Sequence, residues 1–184
     1  YNDLFLILPN GAIFYTVARG ADYQTNILNG NFKNSNLAKL LRKIGYGSLD
    51  IEQMNKRARF VDFAPYEPKG NTPAAFIAKG VKISNSLLGK TSHTSRTNLG
   101  SQLVVALQLS DSTLNEVMLQ RTGLGETGES YLVGPDFKLR TSTRDPKRNL
   151  ASSLSGDVAL NGADTEPVRL ALEGQSDTGL YQNY

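Results

Sequence analysis

One strand–turn–strand pattern occurs twice in this chain, at residues 4–16 and again at residues 130–142. In each copy an apolar run meets a turn pair, Pro9-Asn10 or Pro135-Asp136, and a mixed polar and apolar run follows. Proline sets the backbone angle at the entry of a turn, and Asn, Asp and Gly tolerate the angles inside it. The repeat predicts two related modules in tandem, each built on a hairpin. Neither copy brings a recognisable catalytic set with it, so the repeat favours a binding protein over an enzyme.

Composition allows one domain or two small ones and excludes several classes of function. The 184 residues are 39% apolar, which is sufficient for a packed core. The net charge of +3 comes from scattered Lys and Arg residues rather than a basic stripe with stacking aromatics, so nucleic acid is not an expected partner. A sequence without cysteine forms no disulfide, no catalytic thiolate and no cysteine metal site. No apolar run approaches the roughly 20 residues that a membrane-spanning helix needs.

Motifs that would indicate catalysis or cofactor binding are incomplete. The only histidine, His93, lies in a polar segment without the strand-to-helix turn that presents a catalytic serine. Gly89-Lys90-Thr91 resembles the end of a phosphate-binding loop, but Ser84 stands where that loop needs glycine. The glycines of 123–128 follow a predicted helix and precede a predicted strand, the reverse of a dinucleotide-binding context. We therefore predict that the chain is not an enzyme and uses no catalytic residue, cofactor or metal ion.

Hydrophobic periodicity predicts a sheet with a few helices. Strands are predicted at 2–8, 12–19, 58–66, 74–83 and 101–109, in a second hairpin at 130–142, and from about 178 onwards. Helices are predicted over about 36–44 with Asn34 or Ser35 as cap, from Asp111 or Thr113 to about Arg121, and from Thr165-Glu166-Pro167 to Gly174. The middle helix is expected to bury Leu114, Val117 and Met118. Antiparallel strands with helices on one side predict the α+β class.

The strand at 60–66 contains the most suggestive functional pattern. Simple alternation would put four of its side chains on one side, namely Phe60, Asp62, Ala64 and Tyr66. A carboxylate among aromatic rings on a covered sheet face needs a partner if it is buried. That partner is a ligand or, alternatively, a neighbouring turn, Arg19 or Arg59. The facing strand offers Phe76 between two alanines, and such small residues leave room for a small molecule in a mostly apolar pocket.

Several segments resemble Cache sensor domains, the PAS-like extracytoplasmic domains of bacterial chemoreceptors and related sensor kinases. In the first module the resemblance is carried by residues 3–7, 15–17, 22–26, 63–68 and 73–78. Residues 124–136, Leu-Gly-Glu-Thr-Gly-Glu-Ser-Tyr-Leu-Val-Gly-Pro-Asp, resemble the entry to the second, membrane-proximal lobe of a double Cache domain. Residues 164–172 resemble the helix that follows there. The likeness covers nearly the whole chain apart from 45–57, 84–100 and 145–162.

The resemblance implies tandem Cache lobes, with PAS-like antiparallel sheets flanked by helices. Residues 1–109 would form the membrane-distal lobe, 110–128 a connecting helix and glycine-rich turn, and 129–184 a membrane-proximal lobe that is incomplete. It also implies a periplasmic or extracellular domain of an inner-membrane protein. The full-length receptor would add flanking transmembrane helices, a long N-terminal helix and closing strands, and a homodimer is one arrangement open to it.

By the same resemblance, a small molecule such as an organic acid or another small metabolite binds in the distal lobe. Its pocket would be lined by Tyr15, Asp62, Tyr66 and Phe76, with Gln108 on the last strand. Amine-recognising members of the family carry an aspartate at that last place, and a neutral amide does not offset an ammonium charge as a carboxylate does.

The implied function is ligand sensing by a methyl-accepting chemotaxis protein, in which binding causes a conformational change that is transmitted to the membrane. The alternatives are the sensor domain of a histidine kinase or cyclic-nucleotide enzyme, or a structural or protein-binding module without a small-molecule ligand.

Overall fold

The computed structural model describes residues 2–45, 57–82, 102–120, 122–144 and 156–181. The chain separates into two compact units, Tyr1–Leu109 and Ser110–Tyr184. The predicted polar loop at 84–100, which includes His93, and residues 145–155 lie outside the described residues. Within the described ranges, no helix combines the length and the apolar character needed to cross a membrane.

The first unit contains a five-stranded antiparallel sheet. Its strands are β1 (Asp3–Ile7), β2 (Ile13–Thr16), β3 (Arg59–Tyr66), β4 (Thr72–Lys82) and β5 (Gln102–Leu109). They lie in the order β2-β1-β5-β4-β3, and each neighbouring pair is antiparallel. The α+β class and the five strands predicted for this unit are therefore confirmed, although β2 is shorter than predicted and β4 begins two residues earlier.

One face of this sheet, the inner face, builds the hydrophobic core. Its buried side chains come from three adjacent strands, with Asp3, Phe5 and Ile7 of β1, Val104, Ala106 and Gln108 of β5, and Ala74, Phe76 and Ala78 of β4. Because side chains alternate along a strand, the residues between them form the opposite, outer face. There Leu6, Ile77 and Val105 are only half-buried. The core of the first unit therefore lies on one side of its sheet.

Helix α1 (Asn36–Lys43) packs against β3 and β4 of the first unit. Its N-cap is Ser35, whose Oγ accepts a hydrogen bond from the Ala38 amide at 3.2 Å, as one of the two predicted caps. The predicted amphipathic pattern is confirmed, since one face is buried, with Leu37, Leu40 and Leu41, and the basic side chains Lys39, Arg42 and Lys43 are exposed. The helix thereby adds one apolar stripe to the core.

An extra residue in β3 changes which of its side chains share a face. Val61 pairs with Phe76 and Ala64 pairs with Ala74, which leaves residues 62 and 63 opposite a single residue of β4. Such a β-bulge reverses the alternation beyond it. The predicted common side for Phe60, Asp62, Ala64 and Tyr66 is therefore wrong: Tyr66 is fully buried, whereas Phe60 pairs with the outer-face Ile77 and is 53% exposed.

The first predicted hairpin turn forms between β1 and β2. The Asn10 Oδ1 accepts a hydrogen bond from the Ala12 amide at 3.0 Å, which is the local role expected of Asn in a turn. Gly11 follows with a φ of 88°, and a Cβ added there would stand 2.7 Å from Leu28 Cγ. Both the backbone angle and the close approach of Leu28 therefore require glycine at this position.

The second unit, as far as it is described, consists of three short helices joined by turns and irregular segments. It contains α2 (Asp111–Met118), α3 (Val158–Asn161) and α4 (Glu166–Leu172). Helix α2 is capped by Ser110, whose Oγ accepts from the Thr113 amide at 3.3 Å, so the predicted caps at Asp111 and Thr113 are wrong by one and three residues. Its predicted buried face is also wrong, because no residue of α2 is buried and Val117 is 60% exposed.

The short helix predicted after Thr165, which is α4, and its end near Gly174 are confirmed.

The second predicted hairpin forms its turn but not its strands. Within the described residues of the second unit, the pairing reduces to one isolated bridge between Val133 and Leu139. The Arg140 guanidinium binds Asp136 Oδ1 at 2.7 Å and the Lys138 carbonyl oxygen at 2.9 Å, which fixes the turn. A hairpin with no third strand beside it has little independent stability. Residues 178–181, predicted to begin a further strand, are irregular.

Asn36 offers a test of how α1 is attached to the sheet. Its buried side-chain amide donates to the Ala74 carbonyl oxygen at 2.5 Å and to the Asp62 carbonyl oxygen at 3.2 Å. We expect Asn36→Ala to lower the free energy of unfolding by about 1–3 kcal/mol, because buried backbone oxygens lose their side-chain donor. Urea unfolding measures this effect, and Asn34→Ala, at an exposed position next to the helix, is the control. Equal losses in the two variants would contradict the attachment.

Candidate functional site

Two of the predicted site residues, Tyr66 and Phe76, pack inside the core of the first unit. Both are fully buried. Their rings are in edge-to-face contact with centroids 4.9 Å apart, and Phe76 makes a similar contact with Phe5 at 5.8 Å. Aromatic pairs in this geometry stabilise a core beyond the area that they bury. The structure therefore brings Tyr66 and Phe76 together, as aromatic core residues at the inner face.

The Tyr66 hydroxyl donates a hydrogen bond of 2.6 Å to Asp22 Oδ2 inside this core. Asp22 is itself fully buried, in the turn segment that follows β2. Burial raises the pKa of Tyr66, and the negative charge of Asp22 and the hydrogen bond to it raise that pKa further. The second carboxylate oxygen, Asp22 Oδ1, is buried and has no hydrogen-bond partner among the described residues. Half of a buried carboxylate is thus left unpaired.

Asp3 is a second buried carboxylate, at the start of β1. Its Oδ1 accepts hydrogen bonds from the amides of Leu4, Val17 and Ala18 at 2.9, 2.9 and 3.1 Å, which joins β1 to the end of β2. Its Oδ2 lies 3.5 Å from the Lys69 Nζ and, within the described part of the chain, accepts no hydrogen bond. One oxygen of Asp3 is therefore structural, and the other is held only by a longer ion pair.

Gln108 lies between these groups on β5. It pairs in register with Asp3 on one side and with Phe76 on the other, so the three side chains stand on the same inner face. Gln108 is 2% exposed, and its Oε1 has no hydrogen-bond partner among the described residues. The negative charges of Asp22 and, to a smaller extent, of Asp3 both raise the pKa of the Tyr66 hydroxyl. We name Asp3 Oδ2, Asp22 Oδ1 and Gln108 Oε1 the buried acceptor cluster.

The remaining predicted site residues, Tyr15 and Asp62, are not brought to this cluster. Tyr15 pairs with the outer-face Leu6 and is 42% exposed, on the opposite side of the sheet from Tyr66. Asp62 is half-buried at the bulge of β3, where its Oδ1 accepts from the Phe63 amide at 2.7 Å. The five predicted residues therefore divide, with Tyr66, Phe76 and Gln108 on the inner face and the other two elsewhere.

Sequence reasoning missed Asp3, Asp22 and Lys69. Asp3 had a readable signal, because it interrupts the apolar side of an alternating strand at a position in phase with Phe5 and Ile7. Asp22 and Lys69 had no such signal in the sequence. Asp22 lies in a polar turn segment and Lys69 in the short 3-10 helix Glu67–Lys69, and charged residues are common in both kinds of segment.

Other candidate sites in the described part of the chain are weaker. No group of three or more His, Asp or Glu side chains in the described ranges has the arrangement of a metal site. A cleft in the second unit is lined by Met118, Leu124, Ser130 and Arg144, among others. In this cleft the Ser130 hydroxyl already donates to the Met118 carbonyl oxygen at 2.7 Å. The buried acceptor cluster is therefore the strongest candidate.

The Tyr66–Asp22 hydrogen bond can be tested through its pH dependence. We expect Tyr66→Phe to cost about 1.5–3 kcal/mol at pH 8, because it removes the donor to a buried carboxylate. The pKa of Tyr66 is higher in the folded state than in the unfolded state, where a tyrosine pKa is about 10. The protonated hydroxyl therefore stabilises the fold fully below pH 10. Above pH 10 the unfolded state loses its proton first, and this stabilisation decreases as the pH rises. The stability gap between wild type and Tyr66→Phe should therefore narrow by about 1 kcal/mol between pH 10 and pH 11.

Urea unfolding at each pH measures this gap. The matched control is Tyr15→Phe, whose ring is 42% exposed on the outer face and whose change should stay within about 0.5 kcal/mol. A pH-independent gap for Tyr66→Phe would show that the hydroxyl is not sequestered beside Asp22.

Comparison with known protein families, with curated proteins and with solved structures found no match to this chain. Its function therefore has to be inferred from the buried acceptor cluster and from the sequence.

Proposed function

We propose that this chain is the ligand-sensing part of a transmembrane signalling receptor, a Cache-like extracytoplasmic domain whose first unit binds a small molecule at the buried acceptor cluster. The observation that carries the proposal is the cluster itself. It consists of three acceptor oxygens, buried in the core of one unit, with no hydrogen-bond partner among the described residues. Each such group costs about 1–3 kcal/mol of stability. A core that keeps several of them is expected to use them for binding.

The five-stranded antiparallel sheet with a helix on its inner face agrees with a PAS-like lobe, which is the finer fold that the sequence resemblance implies. In such a lobe the inner face of the sheet holds the ligand. Tyr66 and Phe76 would then form the apolar wall of the site, and Gln108, Asp22 and Asp3 its polar end. This division matches the composition of small-molecule sites, which combine apolar walls with a few fixed polar groups.

Transmission of the signal would use β5. Gln108 lies on this strand, two residues before Ser110, the N-cap of α2. A ligand that contacts Gln108 therefore acts on the strand from which the chain passes directly into the second unit. Binding changes the equilibrium between two arrangements only if the ligand prefers one of them. Chemotaxis is the output that the sequence resemblance favours, with a histidine kinase or a cyclic-nucleotide enzyme as alternatives.

A structural module without a small-molecule ligand is the second candidate. It is favoured by the complete burial of Tyr66 and Phe76 and by their contacts with each other and with Phe5, which fill much of the inner face. The two candidate functions give Gln108 different roles. In a sensor it serves a ligand at a cost in stability, whereas in a structural module it contributes to the fold.

The variant Gln108→Leu separates these candidates. In a sensor, the variant should keep or raise the stability of the unliganded protein, by up to about 1 kcal/mol, because an unpaired buried acceptor is replaced by an apolar group of similar size. In a structural module it should be less stable than wild type. Urea unfolding measures the difference, and Gln120→Leu, at an exposed position of the second unit, is the matched control.

A thermal-shift screen tests binding directly, with a panel of acids, amines, sugars and nucleobases. A ligand at about 100 times its dissociation constant stabilises the folded state by about 2.7 kcal/mol. For a chain of this size we expect the melting temperature to rise by roughly 5 °C or more. The rise should be lost in Gln108→Leu and kept in Gln120→Leu. Absence of any shift across the panel would contradict ligand sensing.

A further inference from the structure

We propose that the outer face of the five-stranded sheet is the interface of a homodimer, in which a second copy of this chain packs its own outer face against the first. The composition, the exposure and the area of the outer face all point to such a dimer. Its formation does not require a ligand in the first unit.

Two rows of paired residues cross the outer face, and the first row is entirely apolar. It consists of Leu4, Leu107, Ile77 and Phe60, each in register with the next on the neighbouring strand. Phe60 is 53% exposed, and the other three are half-buried. An antiparallel sheet with one face in water usually carries polar side chains on that face. The first row does not follow this rule.

The second row contains one charged side chain. It runs from Tyr15 through Leu6 and Val105 to Lys79, again in register from strand to strand. Tyr15 is 42% exposed and Lys79 is exposed. An ordinary solvated face would offer water more than one charge among eight residues, so the two rows together have the composition of a covered surface.

The inner face is the more polar of the two faces of this sheet. Its row of Asp3, Gln108 and Phe76 includes a carboxylate and an amide, and all three side chains are buried. Apolar surface is stabilised by its removal from water, whereas polar groups are stabilised by contact with it. The outer face is therefore the face whose composition calls for a cover.

The outer face is also large enough for a specific dimer. Its most exposed apolar residues are Tyr15 at 42%, Phe60 at 53% and Val81 at 38%. Because a large side chain presents about 150–250 Å² when fully exposed, these three and the half-buried residues between them offer roughly 600 Å² per copy. Two such faces bury roughly 1,200 Å², the lower limit for a stable protein–protein interface.

A second copy matches this face without any further requirement. Antiparallel sheets pack face to face about 10 Å apart, with apolar side chains interdigitated between them. A two-fold axis brings the same two rows together from both copies and closes the assembly at the dimer. Lys79 can extend its apolar stem to the rim of such an interface, but its charge weakens the contact. An acidic partner would instead be attracted by Lys79, so the two kinds of partner make opposite demands on this residue.

This opposition gives the test, which is sedimentation velocity of the full chain at increasing concentration. The variants are Lys79→Leu, which completes the apolar second row, and Val105→Glu, which places a charge in it. Val105 is directly opposite Lys79, so a glutamate there gains a cross-strand ion pair and the variant should fold. Val117→Glu is the matched control, because Val117 is 60% exposed in α2 of the second unit.

We expect wild type to show a concentration-dependent equilibrium between monomer and dimer. The dissociation constant should fall about ten-fold in Lys79→Leu and rise about 100-fold or more in Val105→Glu, because a charge is removed from the interface or added to it. It should not change in Val117→Glu. A tighter dimer in Lys79→Leu is a gain that misfolding does not produce.

A wild type that stays monomeric at every concentration would overturn the dimer, as would a dimer that Val105→Glu leaves unchanged. Growth of Lys79→Leu into species larger than a dimer would overturn the closed two-fold contact. Monomers that bind phosphatidylglycerol vesicles through the outer face, with binding lost in both Lys79→Leu and Val105→Glu, would assign the face to an anionic lipid surface instead. The metabolite panel tests ligand sensing separately, so either proposal can fail without the other.

Discussion

The hydrogen bond between Tyr66 and Asp22 is the interaction on which the interior of the first unit depends. It joins residues 44 positions apart in the chain and is buried completely. A carboxylate is stable in such a place only if it is hydrogen-bonded or paired. Tyr66 supplies one donor, and its ring at the same time packs against Phe76. One side chain thereby connects the turn segment after β2, the end of β3 and the centre of β4, and it leaves one oxygen of Asp22 unpaired.

The position of Tyr66 depends in turn on the bulge of β3. Without the extra residue opposite β4, strict alternation would keep Tyr66 on the face of Phe60, which is the outer face. The bulge therefore places a tyrosine hydroxyl inside the core and a phenylalanine ring outside it. β-Bulges commonly redirect a side chain in this way next to a functional site. Here the redirected group is the one that holds Asp22.

Much of the first unit could be predicted from the sequence, because its signals are local. Periodicity gave the five strands, and the spacing of Leu37, Leu40 and Leu41 gave α1 and its buried face. The predictions failed where a tertiary effect overrides the local pattern. The bulge in β3 moved Phe60 away from Tyr66, and α2 exposes Val117 although its spacing is helical. The turn of the second hairpin was predictable from Pro135-Asp136, but its strands were not formed, since strand formation needs neighbours that the turn sequence does not encode.

The site was predictable only in part, for the same physical reason. Tyr66, Phe76 and Gln108 lie on strands that periodicity predicts, and the resemblance to Cache domains implied them as pocket residues. The bulge that turns Tyr66 to the inner face was not predictable from the alternation. The charges that join this face come from Asp22, in a turn segment, and Lys69, in a short 3-10 helix, and their approach to the sheet depends on the folded chain. The charge around Gln108 is therefore a tertiary property that the strand pattern alone does not encode.

The most direct measurement is a high-resolution structure of the protein with whichever compound of the metabolite panel stabilises it most. The account predicts density for that compound at the inner face, with one of its polar atoms within about 3 Å of Gln108 Oε1. A structure in which Gln108 Oε1 is paired with one of the protein's own donors, and the compound lies elsewhere, would contradict it.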